Sequence, residues 1–293
     1  MTIDRQRMLD FPAVEMPYTY TARDTMLHGL GIGLGMDPLD ERQLRFVYDP
    51  GLTAFPTMSA VLGWIDLLRD PRFRDPAWGV DATRMVVAQV IIRQLATLPV
   101  SGSGRSRTYF AEVVDKGVGK PCLFRVRKEL LAADGALLAT LDTWLFVGKA
   151  GGFGGPPEGG PAAVTMPDRA ADISCALPTP GNLALLYRLS LGDQNALHAD
   201  PRHALRAGFE RPILHGIATF SIALHATLRT MLDYDTARFR SGKAKFVKPV
   251  FPGDTIVTEM WKTPEAILFR STAAERNVLV VDGGELTITS PDA

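Results

Sequence analysis

The sequence predicts an α+β protein of two similar units, each an antiparallel sheet curved around a helix. Three observations carry that. The stretch Gly148-Lys149-Ala150-Gly151-Gly152-Phe153-Gly154-Gly155-Pro156-Pro157 divides the 293 residues near their middle, and its composition marks a linker. On each side a helical pattern precedes several strand-like runs. The longest apolar helix pattern is apolar nearly all round, as a helix enclosed by a sheet must be. The expected division is an N-terminal unit over 1–150, a linker over 151–175 and a C-terminal unit over 176–293. That length fits two cores better than one.

The elements follow in chain order. Thr21-Ala22-Arg23-Asp24 resembles a capping box and opens a helix. A second helical segment is expected from about Thr57 to Leu68. Ser101-Gly102-Ser103-Gly104 reads as a flexible loop. The run from Thr108 to Arg127 comes next, and Asp134-Gly135 before Leu137–Val147 is a hairpin signal. The linker extends to about Pro180 without strand or helix periodicity. Leu214, Ile217, Phe220, Leu224, Leu228 and Met231 then recur at helical spacing. Strand-like runs at 243–250, 255–261, 266–272, 278–282 and 285–289 follow, with turns expected at Pro252-Gly253-Asp254 and Asp282-Gly283-Gly284.

Composition excludes several classes of function. The chain has 32 basic and 32 acidic residues, so no global field attracts nucleic acid or an anionic membrane. The apolar run from Ile213 to Leu232 is interrupted by His215, His225 and Arg229, which predicts a buried helix and no membrane span. Cys122 and Cys175 lack metal-type pairing and read as reduced thiols of a cytoplasmic protein. Met1-Thr2-Ile3-Asp4-Arg5 has no apolar signal region, and Ser290-Pro291-Asp292-Ala293 is not a peroxisomal address. Gly29-Leu30-Gly31-Ile32-Gly33-Leu34-Gly35 does not fit a dinucleotide fingerprint. A phosphate-loop lysine and a Gly-x-Ser-x-Gly elbow are also absent. No two histidines have metal-binding spacing, so no metal is expected.

The chemistry-bearing stretch is Gly192-Asp193-Gln194-Asn195-Ala196-Leu197-His198. On a straight helix Asp193 and His198 would lie about 140° apart. They converge only if the chain turns between them, and Gly192 and Asn195 suit a turn. Convergence would give a carboxylate and an imidazole able to hold one water. The alternative is that Asp193 and Asn195 merely cap the next helix. His215-Gly216 opens the long helix, where unpaired N–H groups can hold a carbonyl oxygen and glycine permits close approach. Tight packing against the sheet explains that glycine equally well. His28, His203 and His225 carry weaker signals, and His225 reads as a satisfied core histidine. Lys243, Lys245 and Lys248 form either a solvated strand face or a partner for carrier phosphates.

These residues resemble a known family. Leu186-Tyr187-Arg188-Leu189-Ser190 through His198, Gly208-Phe209-Glu210-Arg211-Pro212-Ile213-Leu214-His215-Gly216 and Lys243-Ala244-Lys245-Phe246-Val247-Lys248-Pro249-Val250-Phe251-Pro252-Gly253 are similar to the hydratase 2 motif of the MaoC-like enzymes. Tyr20–Asp24, Phe46-Val47-Tyr48, Val114-Asp115-Lys116-Gly117 and Gly151–Gly155 also match, so the resemblance covers nearly the whole chain. It implies two fused hot-dog domains and reversible hydration of trans-2-enoyl-CoA to (3R)-3-hydroxyacyl-CoA. Asp193 and His198 would be the catalytic pair, Asn195 would support the water, and Gly216 would bind the thioester carbonyl. Lys116, His215, Lys245 and Phe246 would contact the acyl-CoA, and Asp49 with Arg188 would form an ion pair. The N-terminal unit would be noncatalytic and accommodate the acyl chain. Coenzyme A would be part of the substrate, with no cofactor, and the chain would form a homodimer. A thioesterase and a noncatalytic acyl-thioester binding module are the rival readings.

The chain also departs from the family pattern. Leu191 intervenes between Ser190 and Gly192, and Gln194 and Ala196 replace a common tryptophan and proline. Asp49 stands for a glutamate, and about Val87-Ala88-Gln89-Val90 replaces a His-Gly-Glu-Gln stretch.

Overall fold

In the computed structural model, which describes residues 3–65, 71, 78–80 and 85–289, the N-terminal half supplies five strands. They are β1 (Val14–Tyr20), β2 (Met85–Gln94), β3 (Gly102–Asp115), β4 (Cys122–Ala132) and β5 (Leu137–Val147). Its helices are α1 (Arg5–Leu9), α2 (Ala22–Leu30), α3 (Glu41–Leu44) and α4 (Met58–Val61). The C-terminal half supplies β6 (Ile173–Pro178), α5 (Leu183–Leu191), α6 (Pro201–Arg206), α7 (Gly216–Met231), β7 (Phe239–Phe246), β8 (Thr255–Lys262), β9 (Ile267–Ala273) and β10 (Val278–Ile288). All the strands join one antiparallel sheet in the order β1-β3-β4-β5-β2-β7-β10-β9-β8-β6.

That order shows a symmetry the sequence conceals. Counted within its own half, each set of strands runs first, third, fourth, fifth, second. The two second strands, β2 and β7, pair across the seam with Val90 opposite Ala244 and Ile92 opposite Gly242. These four are the inward, core-facing positions of the seam. The expected α+β architecture of two hot-dog units is therefore present, with the two sheets fused into one.

The C-terminal half encloses α7. Every residue from Ile217 to Leu228 is buried, so the helix has no solvated face. Phe220 and Phe239 crowd Gly242, where an added Cβ would lie 3.0 Å from Phe220 Cζ. Glycine there lets helix and sheet approach. The core is continuous across the seam, since Val90, Ile92 and Leu141 share it with Phe220, Leu224 and Ala244. Among the described residues, no helix is long and apolar enough to cross a membrane.

The N-terminal half handles its helix differently. The capping box forms as expected, with the Thr21 N–H donating to Asp24 Oδ2 at 2.8 Å. The segment expected from Thr57 to Leu68 is helical only over Met58–Val61, and its residues beyond Ile65 lie outside the described ones. Leu62 is extended and Gly63 has φ +58°, which ends the helix. Lys128, buried on the inner face of β4, donates through Nζ to Ala60 O at 2.7 Å and Leu62 O at 2.8 Å. Its N–H groups take the place of the amide donors a longer helix would provide.

Four local expectations are corrected. Gly102–Gly104 is not a loop but the start of β3, paired with β1. Gly104 fits because Tyr18 Oη would lie 2.7 Å from any Cβ there. The run from Thr108 to Arg127 is broken by the connection between β3 and β4. Ile173–Pro178 forms β6 within the expected linker, pairing with β8. Asp282-Gly283-Gly284 is a bulge inside β10, not a turn, and the register shifts there against both β7 and β9. Gly284 lies so close to Phe269 that a Cβ would be 2.4 Å from its ring. The hairpin at Asp134-Gly135 forms as expected, with Gly135 at φ +89°.

The linker is strapped to the end of β3. Asp115 accepts hydrogen bonds from the N–H groups of Gly117 (2.8 Å), Gly152 (2.7 Å) and Gly154 (2.8 Å). Burial raises its carboxyl pKa, but these bonds outweigh burial and lower it. Glu112 accepts from Gly160 N at 3.1 Å.

Candidate active site

The helix α5 ends at Leu191, and Gly192 follows in the left-handed conformation at φ +69°. Leu191 is thus absorbed as the last residue of the helix. The Gly192 turn reverses the chain and sends Asp193 inward, where it is 7% exposed. Asp193 Oδ1 accepts from Asn195 N at 2.8 Å. Asn195 Oδ1 in turn accepts from Leu197 N at 3.1 Å, capping the single turn Ala196–His198. The capping reading of Asn195 is therefore correct, and the same turn also brings His198 back toward Asp193. Capping and convergence are one arrangement here.

His198 Nδ1 lies 2.9 Å from the carbonyl oxygen of Ile213. A carbonyl only accepts, so Nδ1 carries the proton, and in the neutral ring Nε2 carries the lone pair. The His198 ring stacks on His215, with centroids 3.8 Å apart and planes at 23°. His215 Nε2 lies 3.1 Å from Asp193 Oδ2. Burial raises the pKa of the Asp193 carboxyl, but contacts with His215 and the Asn195 N–H outweigh it and lower the value overall.

Histidine spacing argued against a metal, yet Asp193, His198 and His215 place donor atoms within 4.8 Å of one another. They come from separate segments, so spacing could not show this. The two imidazole rings are stacked with planes at 23°, and a carboxylate this close to two imidazoles is also a set that can pass a proton.

Gly216 begins α7 with His215 as its N-cap. Its N–H has no acceptor within the helix and sits at the positive end of the dipole. Phe246, at the end of β7, packs against it, with a Cβ expected 3.2 Å from the ring edge. Both expected roles for this glycine, close packing and ligand approach, draw on the same missing side chain.

The remaining candidates are placed elsewhere or used otherwise. Lys116 Nζ donates to Pro157 O at 2.7 Å and Gly159 O at 3.0 Å, holding the linker. Lys245 is exposed on β7 opposite Gln89 and Asp282, and Lys243 is ion-paired with Glu285 at 3.0 Å. Val87-Ala88-Gln89-Val90 lies on β2 at a bulge, beside Lys245. The expected Asp49–Arg188 ion pair is corrected. Asp49 is exposed, and among the described residues no ion pair joins it to Arg188, whose Nε donates to the Asp193 backbone carbonyl at 3.1 Å. Arg188 braces the Gly192 turn instead. His225 is a satisfied core histidine, with Nε2 2.7 Å from the Tyr234 hydroxyl. His28, also buried, lies 3.0 Å from Thr57 Oγ1, and burial lowers its pKa to about 3.

Sequence reasoning missed the approach of His215 to Asp193 and the burial of Tyr187, whose ring centroid lies 5.1 Å from that of His215. Burial pushes the Tyr187 hydroxyl far above its usual range.

Residues 163–283 match the MaoC like domain, and residues 18–148 match the MFE-2 hydratase 2 N-terminal domain. The chain is 34% identical to the enoyl-CoA hydratase ChsH3 of Mycobacterium tuberculosis, across 98% of this chain and 99% of that one. It superposes on a MaoC-like dehydratase from Phytophthora capsici with a TM-score of 0.86 at 29% identity, covering 99% of each chain. A Mycobacterium tuberculosis protein described as a double hotdog fold shares the fold alone, with a TM-score of 0.52 at 16% identity over 94% of this chain and 96% of that one. The chain belongs to the MaoC-like family, in the branch of the type 2 enoyl-CoA hydratases.

Proposed function

We propose that this hydro-lyase adds water reversibly across the double bond of a trans-2-enoyl-CoA to give a (3R)-3-hydroxyacyl-CoA. The observation that carries the reading is the meeting of Asp193 and His198 beside the N-terminus of α7. Relatives named as enoyl-CoA hydratases support the substrate class. The water sits between the Asp193 carboxylate and His198 Nε2. The imidazole takes one proton as the water oxygen bonds to C3, and the electron pair of the C2–C3 bond moves toward the thioester. The charge gathers on the carbonyl oxygen, held by the Gly216 N–H. One donor of this kind contributes about 3–4 kcal/mol to a transition state. The acid/base pair then delivers a proton to C2, and the overall reaction is the gain of one water. No electrons leave the substrate, so the chemistry calls for no redox cofactor, and coenzyme A belongs to the substrate.

The test follows enoyl-thioester absorbance with crotonyl-CoA and trans-2-decenoyl-CoA, in wild type and Asp193→Asn. The reading requires loss of the band by wild type with the thioester intact, and little loss by the variant. Release of free CoA thiol in step with the loss would assign a thioesterase. Binding without turnover of either substrate would assign an acyl-thioester binding module.

A further inference from the structure

The buried cluster holds one more polar side chain than the hydration reading uses. His215 is 4% exposed, yet neither ring nitrogen makes a well-directed hydrogen bond. Such groups are rare because leaving them unpaired is costly. Nε2 comes within 3.1 Å of Asp193 Oδ2 but lies off the hydrogen-bond axis. Contacts of this kind at reacting centres tighten once the reacting molecule is seated.

We infer that His215 is a positioning residue that fixes the Asp193 carboxylate and the His198 ring together, so that the two act as one acid/base unit. The inference rests on the hydration reading given above. Asp193 has one oxygen tied to the backbone of Asn195, and its other oxygen faces His215. Without His215 the carboxylate is held at one oxygen only. His198 is tied through Nδ1 to Ile213, and the stacked face of His215 sets the plane of its ring. His215 is also the N-cap residue of α7, so the turn that places its ring also presents the Gly216 N–H. The acid/base groups and the carbonyl site thereby share one anchor.

The titratable groups facing His215 are Asp193 from the turn after α5, His198 from the single turn that follows, and Tyr187 from α5. Tyr187 stays neutral across the working range. Two imidazoles stacked at 3.8 Å strongly disfavour a shared double positive charge. The proton taken from water is therefore assigned to His198 alone. The role of His215 is to donate toward Asp193, and it takes no part as a second base.

Three variants separate this from a purely structural role. His215→Phe keeps a ring against His198 and loses the nitrogen. His215→Gln keeps an N–H that reaches Asp193, and His215→Asn is too short to reach it. With crotonyl-CoA and trans-2-decenoyl-CoA, Phe and Asn are expected to lower kcat by about 10- to 100-fold with KM changed less than about twofold. Gln is expected to recover most of kcat. The acid limb of kcat/KM should move to higher pH in Phe and Asn, because the lost N–H no longer favours the carboxylate, and should stay in place in Gln. Equal losses in Gln and Asn, a rise in KM at constant kcat, or unchanged kinetics would each overturn the inference. Gln and Asn are both small and polar, so the comparison survives if Phe does not fold. An inactive wild type would count against the hydration reading, whereas an active wild type with unaffected variants would count against this inference alone.

Discussion

Lys128 Nζ lies 2.8 Å from the carbonyl oxygen of Leu62, inside a strand face otherwise made of Cys122, Phe124, Val126 and Leu130. The lysine serves the carbonyls where α4 stops after one turn, whereas α7 in the other half runs over sixteen residues. Burial lowers the Lys128 pKa to about 7. Lys128→Met would leave two buried carbonyls without a donor and is expected to destabilise the protein by about 2–5 kcal/mol in denaturant melts near pH 8.

The same lysine has a signature in pH. Its folded pKa lies below its unfolded one, so the unfolded chain holds the proton more tightly. The burial penalty is complete below about pH 7 and is relieved as pH rises toward the unfolded value. Wild type should therefore gain stability relative to Lys128→Met above pH 7, by up to about 1.4 kcal/mol per pH unit. Melts of both proteins at pH 7, 8 and 9 (values about one unit apart) check the slope, and parallel curves would refute it.

Gly192→Ala isolates the turn that aims Asp193. No atom lies within 4 Å of the added Cβ, so the only cost is the left-handed backbone. That strain is about 1 kcal/mol. Activity should fall by more than tenfold, while the melting temperature shifts by only a few degrees. A loss of activity no larger than the loss of folded protein would show that the turn does not aim the carboxylate.

Gly216→Ala tests the start of α7. The new methyl would press on the Phe246 ring at 3.2 Å. A lower kcat with folding intact is expected, and Phe246→Leu in the same chain should restore stability more than kcat. Equal restoration of both would reduce this glycine to packing alone.

Asp193→Asn should lower hydration by about 10²–10⁴-fold. Its effect on stability has a defined sign. The Asp193 carboxyl pKa is lowered in the folded state. Its contribution is full above the unfolded value of about 4 and is lost as pH falls through the folded one. The stability gap between wild type and Asp193→Asn should therefore narrow below about pH 4, as chemical melts would show.

The sequence made the reactive turn legible because its cause is local. Gly192 and Asn195 suit a turn, which left capping and convergence both open on the residues alone, and the structure shows Gly192 left-handed and Asn195 capping in the same turn. His215 was legible as a helix start but not as a neighbour of Asp193, since that contact depends on how α7 enters the sheet. Asp282-Gly283-Gly284 looked like a turn because a bulge and a turn ask for the same residues. β6 escaped notice as six residues on the sheet edge, where a strand needs little alternation. Lys128 was not singled out from the sequence, because its place among the inward positions Phe124, Val126 and Leu130 shows only once the strand is fixed.

The β2–β7 seam makes the two halves dependent on each other. If the chain were divided between β5 and β6, each piece would bare the backbone of its second strand along Gln89–Arg93 or Ser241–Lys245. Exposed strand edges of that kind recruit other chains. Each half acts in effect as the other's chaperone: joining the strands covers two sticky borders at once, and separate expression of either half would favour aggregates over a working half-enzyme.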